Sequence, residues 1–252
     1  MSSLVTEMAK YRYLKNAPIV EALIDIRAKN PSSFQVKEFS SLRETLKADY
    51  PTVDERRSLE WKGTIAGKQI AQTIEDKGLY GYFFKTSDGK SVVQFRGDGF
   101  TFSRLAPYTN WDTVLSEARR LWELYSSKAL PEVITRIAIR YINKLDLPLP
   151  IHDFSDYLTA PPRIPDSLPQ EVSQFLTRVV IHESDITANI IQALERSPTP
   201  EHVAIILDID VFKLRETGFN ENSVWSELVQ LRILKNRIFF ESITEEAARL
   251  YE

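Results

Sequence analysis

Asp208 and Asp210 stand two residues apart inside the otherwise apolar run HVAIILDIDVFKL. In a strand, residues at i and i+2 share a face, so both carboxylates project from one side together with Ile206 and Phe212. Paired carboxylates hold a divalent cation such as Mg²⁺ or share a proton. A metal-dependent enzyme built on Asp208 and Asp210 is therefore one reading. The competing reading is a face that meets water or arginines, since the chain offers no identifiable third acidic ligand. A second cluster, Arg56, Arg57, Trp61 and Lys62, mixes guanidinium, ammonium and indole groups. Basic and aromatic groups on a sheet are what single-stranded nucleic-acid readers use, so this edge is the candidate nucleic-acid surface. Its structural alternative is a core with a solvated edge.

Other chemistry is argued against by spacing. His152, His182 and His202 each neighbour a carboxylate (Asp153, Glu183 and Glu201), but adjacent strand residues face opposite ways. None fits a zinc-binding helix spacing. No G-x-S-x-G elbow is present. Gly89-Lys90-Ser91 lacks the upstream glycine of a phosphate loop, because position 84 is Phe84. Cysteine is absent, which removes disulfides, thiolate catalysis and cysteine-held metals. No catalytic residue and no cofactor is expected.

Four further charges sit inside apolar strands. Ile19–Ala28 reads IVEALIDIRA and carries Glu21 and Asp25; Ile134–Leu147 reads ITRIAIRYINKLDL and carries Arg136 and Arg140. The spacing within each pair is the same and the signs are opposite. If the two strands lie side by side and antiparallel, Glu21 and Asp25 approach Arg140 and Arg136. Such cross-strand pairs fix register as structural ion pairs.

The elements that would position these residues follow from periodicity. Pro18 opens a strand at about 19–29. Val36, Phe39, Leu42 and Leu46 recur at helical spacing over 33–48. Strands follow at 58–66, 69–76, 79–86, 90–96 and 99–105, with turn signals at Asp76-Lys77-Gly78, Ser87-Asp88-Gly89 and Gly97-Asp98-Gly99. A helix capped at Thr109 or Asn110 carries Val114, Ala118, Leu121 and Tyr125 inward. Beyond Pro131 come strands at 133–146, 171–183, 186–196 and 202–214, separated by a proline-rich connection around 151–169. A helix spans 222–240 with Trp225, Leu228, Leu231 and Leu234 inward, and a short one spans 243–251. This order predicts an α+β chain of two related β-α-β(4)-α halves, 1–130 and 131–252. The halves would form helix-covered antiparallel sheets like the saddle of the TATA-box-binding protein.

The 252 residues are 43% hydrophobic and 27% charged, which is globular rather than disordered composition. A net charge of −3 gives no global footprint for nucleic acid. The first residues lack a signal-peptide core and no apolar run reaches ~20 residues, so a cytoplasmic protein without membrane contact is expected.

Three blocks carry a resemblance: Asn16-Ala17-Pro18-Ile19-Val20-Glu21-Ala22, Arg136-Ile137-Ala138-Ile139-Arg140-Tyr141-Ile142-Asn143, and Asn236 to Thr244 (NRIFFESIT). Together they resemble a sporadically distributed, uncharacterised prokaryotic family of about this length. That resemblance implies no activity, cofactor or site residue. The expected function is a non-enzymatic binding or interaction module, its partner a protein or a second copy in a dimer. Nucleic-acid binding and the Asp208–Asp210 metal enzyme are the alternatives.

Overall fold

The structure, a computed structural model, describes residues 8–66 and 69–252. Its strands are β1 (Ile19–Lys29), β2 (Thr52–Ala66), β3 (Gln69–Lys85), β4 (Ser91–Arg96), β5 (Gly99–Leu105), β6 (Val133–Pro148), β7 (Leu176–Glu183), β8 (Ile186–Arg196) and β9 (His202–Phe219). All nine join one antiparallel sheet in the order β2-β3-β4-β5-β1-β6-β9-β8-β7. The helices are α1 (Leu42–Leu46), α2 (Trp111–Ala129), α3 (Glu221–Ser242) and α4 (Glu245–Arg249), with 3-10 turns at Val36–Ser41 and Phe154–Asp156. No helix among the described residues is long and apolar enough to cross a membrane.

This corrects the expected fold. The chain is dominated by one sheet, 44% strand against 26% helix, and is not a saddle of two β-α-β(4)-α halves. Two physical causes stand out. After β6 the proline-rich connection supports only the three-residue 3-10 turn Phe154–Asp156, and three strands follow rather than four. In the first part, Asp76-Lys77-Gly78 does not turn the chain. The Asp76 carboxylate accepts the Gly78 N–H at 2.8 Å, Gly78 takes φ +95°, and the β2–β3 register shifts between Ser58 and Leu59. The result is a bulge within one long strand, β3, where a hairpin was expected. The helix expected over 33–48 is likewise a 3-10 turn running into the short α1.

The core lies on one face of the sheet. Ala22, Ile24 and Ile26 of β1 point there, as do Phe95, Phe100, Ile137, Ile139, Tyr141 and Ile209, all buried. Helix side chains meet this face. Trp122 packs edge-on against Phe100 with centroids 5.9 Å apart, Tyr125 stacks with Phe95, and Phe39 from the 3-10 turn touches both Phe95 and Tyr125. Helix α2 starts where the Asn110 side chain accepts the Thr113 N–H at 2.9 Å.

It ends at Leu130, a left-handed cap with φ 47° and a side chain 67% exposed. A β-carbon is disfavoured in that conformation, and little apolar contact offsets it. Leu130→Gly is expected to stabilise the protein by about 0.5–1 kcal/mol, read as a raised urea midpoint with an unchanged slope.

Candidate functional site

The charged strand residues sit on the face opposite the helices and neutralise one another. Strands β1 and β6 pair antiparallel, with Leu23 opposite Arg140 and Asp25 opposite Ala138. Arg136 donates to Asp25 at 2.9 Å and to Asp210 at 3.1 Å, and its guanidinium lies 4.6 Å from the Phe212 ring centre. Asp25 also accepts from Arg96 at 3.0 Å, Thr101 at 2.7 Å and Arg27 at 3.1 Å. Burial alone would raise the Asp25 carboxyl. The charges of Arg27 and Arg96, the Thr101 hydroxyl and Arg136 outweigh it and hold the group below the usual carboxylate range. Arg140 turns to β9 rather than to Glu21. Its Nε donates to Asp208 at 2.8 Å and its Nη2 to the second oxygen, while Glu21 acts on it only as a nearby charge.

Asp208 and Asp210 are thus each held by a guanidinium. Burial pushes Asp210 up, only partly offset by Arg136 and Arg140. Among the described residues no three His, Asp or Glu side chains gather as a metal's ligands do.

On β2 the two arginines of the basic cluster take different partners. Arg57 donates to Asp76 at 2.8 Å, and Arg56 lies over Phe83 at 4.7 Å. The side chains of Trp61 and Lys62 fall outside the described residues. Among the described residues the histidines gather in no metal-ligand cluster, but His202 reaches Asp146 at 2.7 Å, and Ser197 donates to the other oxygen of that carboxylate at 2.6 Å. Serine and histidine both engage the acid rather than each other, the wrong order for a nucleophile and its base.

A different place on the molecule holds the least compensated charge. On α3, Leu228, Leu231 and Lys235 fall at i, i+3 and i+7, so Lys235 continues the stripe that faces the sheet. It is 7% exposed, and its ammonium lies 3.8 Å from the ring centre of Tyr141 on β6. No acceptor or carboxylate among the described residues bonds it. Burial, then the positive charge of Arg232 one turn earlier, pushes the amine down to about 7.

Lys213 of β9 makes the contrast. It is just as buried, at 8% exposed, but it donates to Glu227 at 2.6 Å and lies 3.1 Å from Asp185. There burial is outweighed by the two carboxylates, and the amine stays above its ordinary value. Burial alone therefore does not decide the state of a lysine in this fold; the missing carboxylate does.

Lys235 lines a cavity of about 570 Å³ between α3, the loop before α2 and the N-terminal arm. The arm, residues 9–17, is tied down at both ends. Ala9 N–H donates to the Ile243 carbonyl at 3.1 Å and Asn16 N–H to that of Tyr251 at 2.9 Å. Arg12, at the rim, is already paired with Glu245 at 3.0 Å and Glu252 at 2.7 Å. Tyr108 and Tyr141 enter the cavity together, hydroxyl to hydroxyl at 3.3 Å with rings 5.7 Å apart. Burial holds both phenols above their ordinary value, so both keep their protons at neutral pH. Arg232 lies over the Trp111 ring at 5.4 Å. Among the described residues, every charged one lining the cavity is basic: Arg12, Lys15, Arg232 and Lys235.

No protein-family model and no curated protein sequence matches the chain. The reading of the cavity rests on its chemistry. Aromatic walls, phenol and amide donors, and two cations with no counter-charge among the described residues suit a small ligand that carries an anionic group.

Proposed function

We propose that the protein is a non-enzymatic, cytoplasmic binding module that holds a small anionic ligand in the cavity between α3 and the N-terminal arm. The observation that supports this is Lys235, buried beside Arg232 with no carboxylate against it among the described residues. A buried cation with no partner costs the fold several kcal/mol, and an anion bound there removes that cost. The cavity volume falls in the range used for small-molecule ligands. The aromatic walls favour an anion attached to a flat apolar body over a bare inorganic ion.

Benzoate and phenyl phosphate are the probes. At pH 6.5 one or both are expected to raise the melting temperature and to titrate with one site per chain. Affinity is expected to fall as pH rises through about 7, where the amine loses its proton, and to level off at the weaker value that Arg232 alone supports. Lys235→Met is expected to bind at that weaker value at every pH. No stabilisation of the wild-type protein by either probe at pH 6.5 would end this reading.

A further inference from the structure

We infer that the cavity captures carbonyl-bearing anions covalently, with Lys235 Nζ forming an imine to the carbonyl carbon while the anionic group is held near Arg232. The inference rests on the anion-binding reading above and specifies which anions the site is built for.

Three observations carry it. The first is that nothing among the described residues ties up the amine. Among them Lys235 Nζ meets no acceptor to hold a proton and no carboxylate to hold it as a cation, and it lies 3.8 Å from the centre of the Tyr141 ring. An amine in that position is available as a nucleophile once neutral. The second is that Arg232, one helical turn away, lines the same cavity and supplies the fixed charge that orients an anion. A purely electrostatic pocket has no need of a titratable cation beside a permanent one. The third is that the charged and phenolic groups lining the cavity include, among the described residues, no carboxylate. Those groups are Arg232 on α3, Tyr141 on β6, Tyr108 before α2, and Tyr11, Arg12, Tyr13 and Lys15 on the arm. None supplies the negative charge that would keep the lysine protonated, which agrees with its amine lying at about 7.

The step balances without a redox partner. The neutral amine adds to the carbonyl carbon, forming the C–N bond while the carbonyl electron pair moves to oxygen, which takes a proton. With one nitrogen proton passed to that oxygen, the nitrogen lone pair forms the C=N bond as the C–O bond breaks, and the oxygen leaves with the second nitrogen proton as water. Amine and carbonyl become imine and water.

The experiment treats the full chain with 4-carboxybenzaldehyde and sodium cyanoborohydride, followed by intact mass and peptide mapping. The expected result is one reduced adduct, on Lys235, formed ahead of any surface lysine and suppressed by excess benzoate. Its rate is expected to rise from pH 6 to about 8 and then level off, whereas surface lysines continue to gain reactivity toward pH 10. Lys235→Arg cannot form an imine, so it is expected to give no adduct at that position. If benzoate binds the wild-type protein but the aldehyde labels only exposed lysines, the covalent inference is wrong and the anion site stands. If benzoate and phenyl phosphate both fail to bind and Lys235 stays unmodified, both are wrong.

Discussion

Lys235→Met is expected to make the unligated protein more stable at pH 7, by on the order of 3 kcal/mol. The amine has an ordinary value of 10.5 and is held at about 7 by burial and by Arg232. Each unit of such a shift corresponds to about 1.4 kcal/mol of difference between the two protonation states. Methionine has nearly the length of the lysine stem and no charge to desolvate, so it fills the same space without leaving a cavity. The pH dependence has a definite sign. Between about 7 and 10.5 the unfolded chain binds this proton and the folded chain does not, so stability rises with pH across that window. Below 7 the full penalty is present, and above 10.5 it is gone. Urea unfolding from pH 6 to pH 10 should therefore show the wild-type protein gaining on the variant until the two converge. Parallel pH profiles would mean that Lys235 is solvated or paired in solution. A chain that retains a destabilising lysine on the buried stripe of a helix is sacrificing stability at that point, and such points are where functional sites are found.

Much of this arrangement was legible in the residues, and the unread parts have specific causes. The strands carrying Glu21, Asp25, Arg136 and Arg140 were marked by β-branched runs, and their opposite charges fitted an antiparallel pairing of β1 and β6 that a duplicated saddle would bring about. Partner choice was not legible. Arg140 sits between two strands, and whether it turns to Glu21 on β1 or to Asp208 on β9 depends on the sheet order, which pairs β6 with both. The bulge at Gly78 was read as a turn because Asp-Lys-Gly serves either purpose; only the length of the flanking pairing decides. Lys235 left a signal that went unused. Trp225, Leu228, Leu231 and Leu234 define the inward stripe, and Lys235, four residues after Leu231, falls beside it. A charged residue at a stripe position is the pattern that marks a buried ion or a site, but whether a carboxylate waits opposite is set by tertiary contacts. Lys213, equally buried and fully paired, shows how differently the same residue type can end.

The opposite behaviour is expected at Asp25, where the charges are compensated. Asp25→Ala is expected to destabilise the protein by about 3–5 kcal/mol, the range for removing one partner from a buried ion-pair network. Asp25 is 6% exposed and accepts from Arg27, Arg96, Arg136 and Thr101. Without it, Arg96 keeps Asp98 at 3.1 Å and Arg136 keeps Asp210 at 3.1 Å, but three guanidiniums then share two carboxylates on a poorly hydrated face. By contrast Glu55→Ala, which opens the exposed pair with Arg43 at 2.8 Å, should cost under about 1 kcal/mol. Acid unfolding separates the network further. Asp25 lies below its ordinary 3.8, so its contribution is present above that pH and is lost as pH falls through the folded value. Asp210 lies above 3.8, so it opposes stability as pH rises from 3.8 through its own raised value. The wild-type profile should fall below pH 3.8, and Asp25→Ala should flatten that fall while leaving the Asp210 limb in place. A double-mutant cycle with Arg136→Met tests the pairing itself. A coupling energy near zero would show that the carboxylate and guanidinium are solvated independently, and the network would lose its role as the seam between β1 and β6.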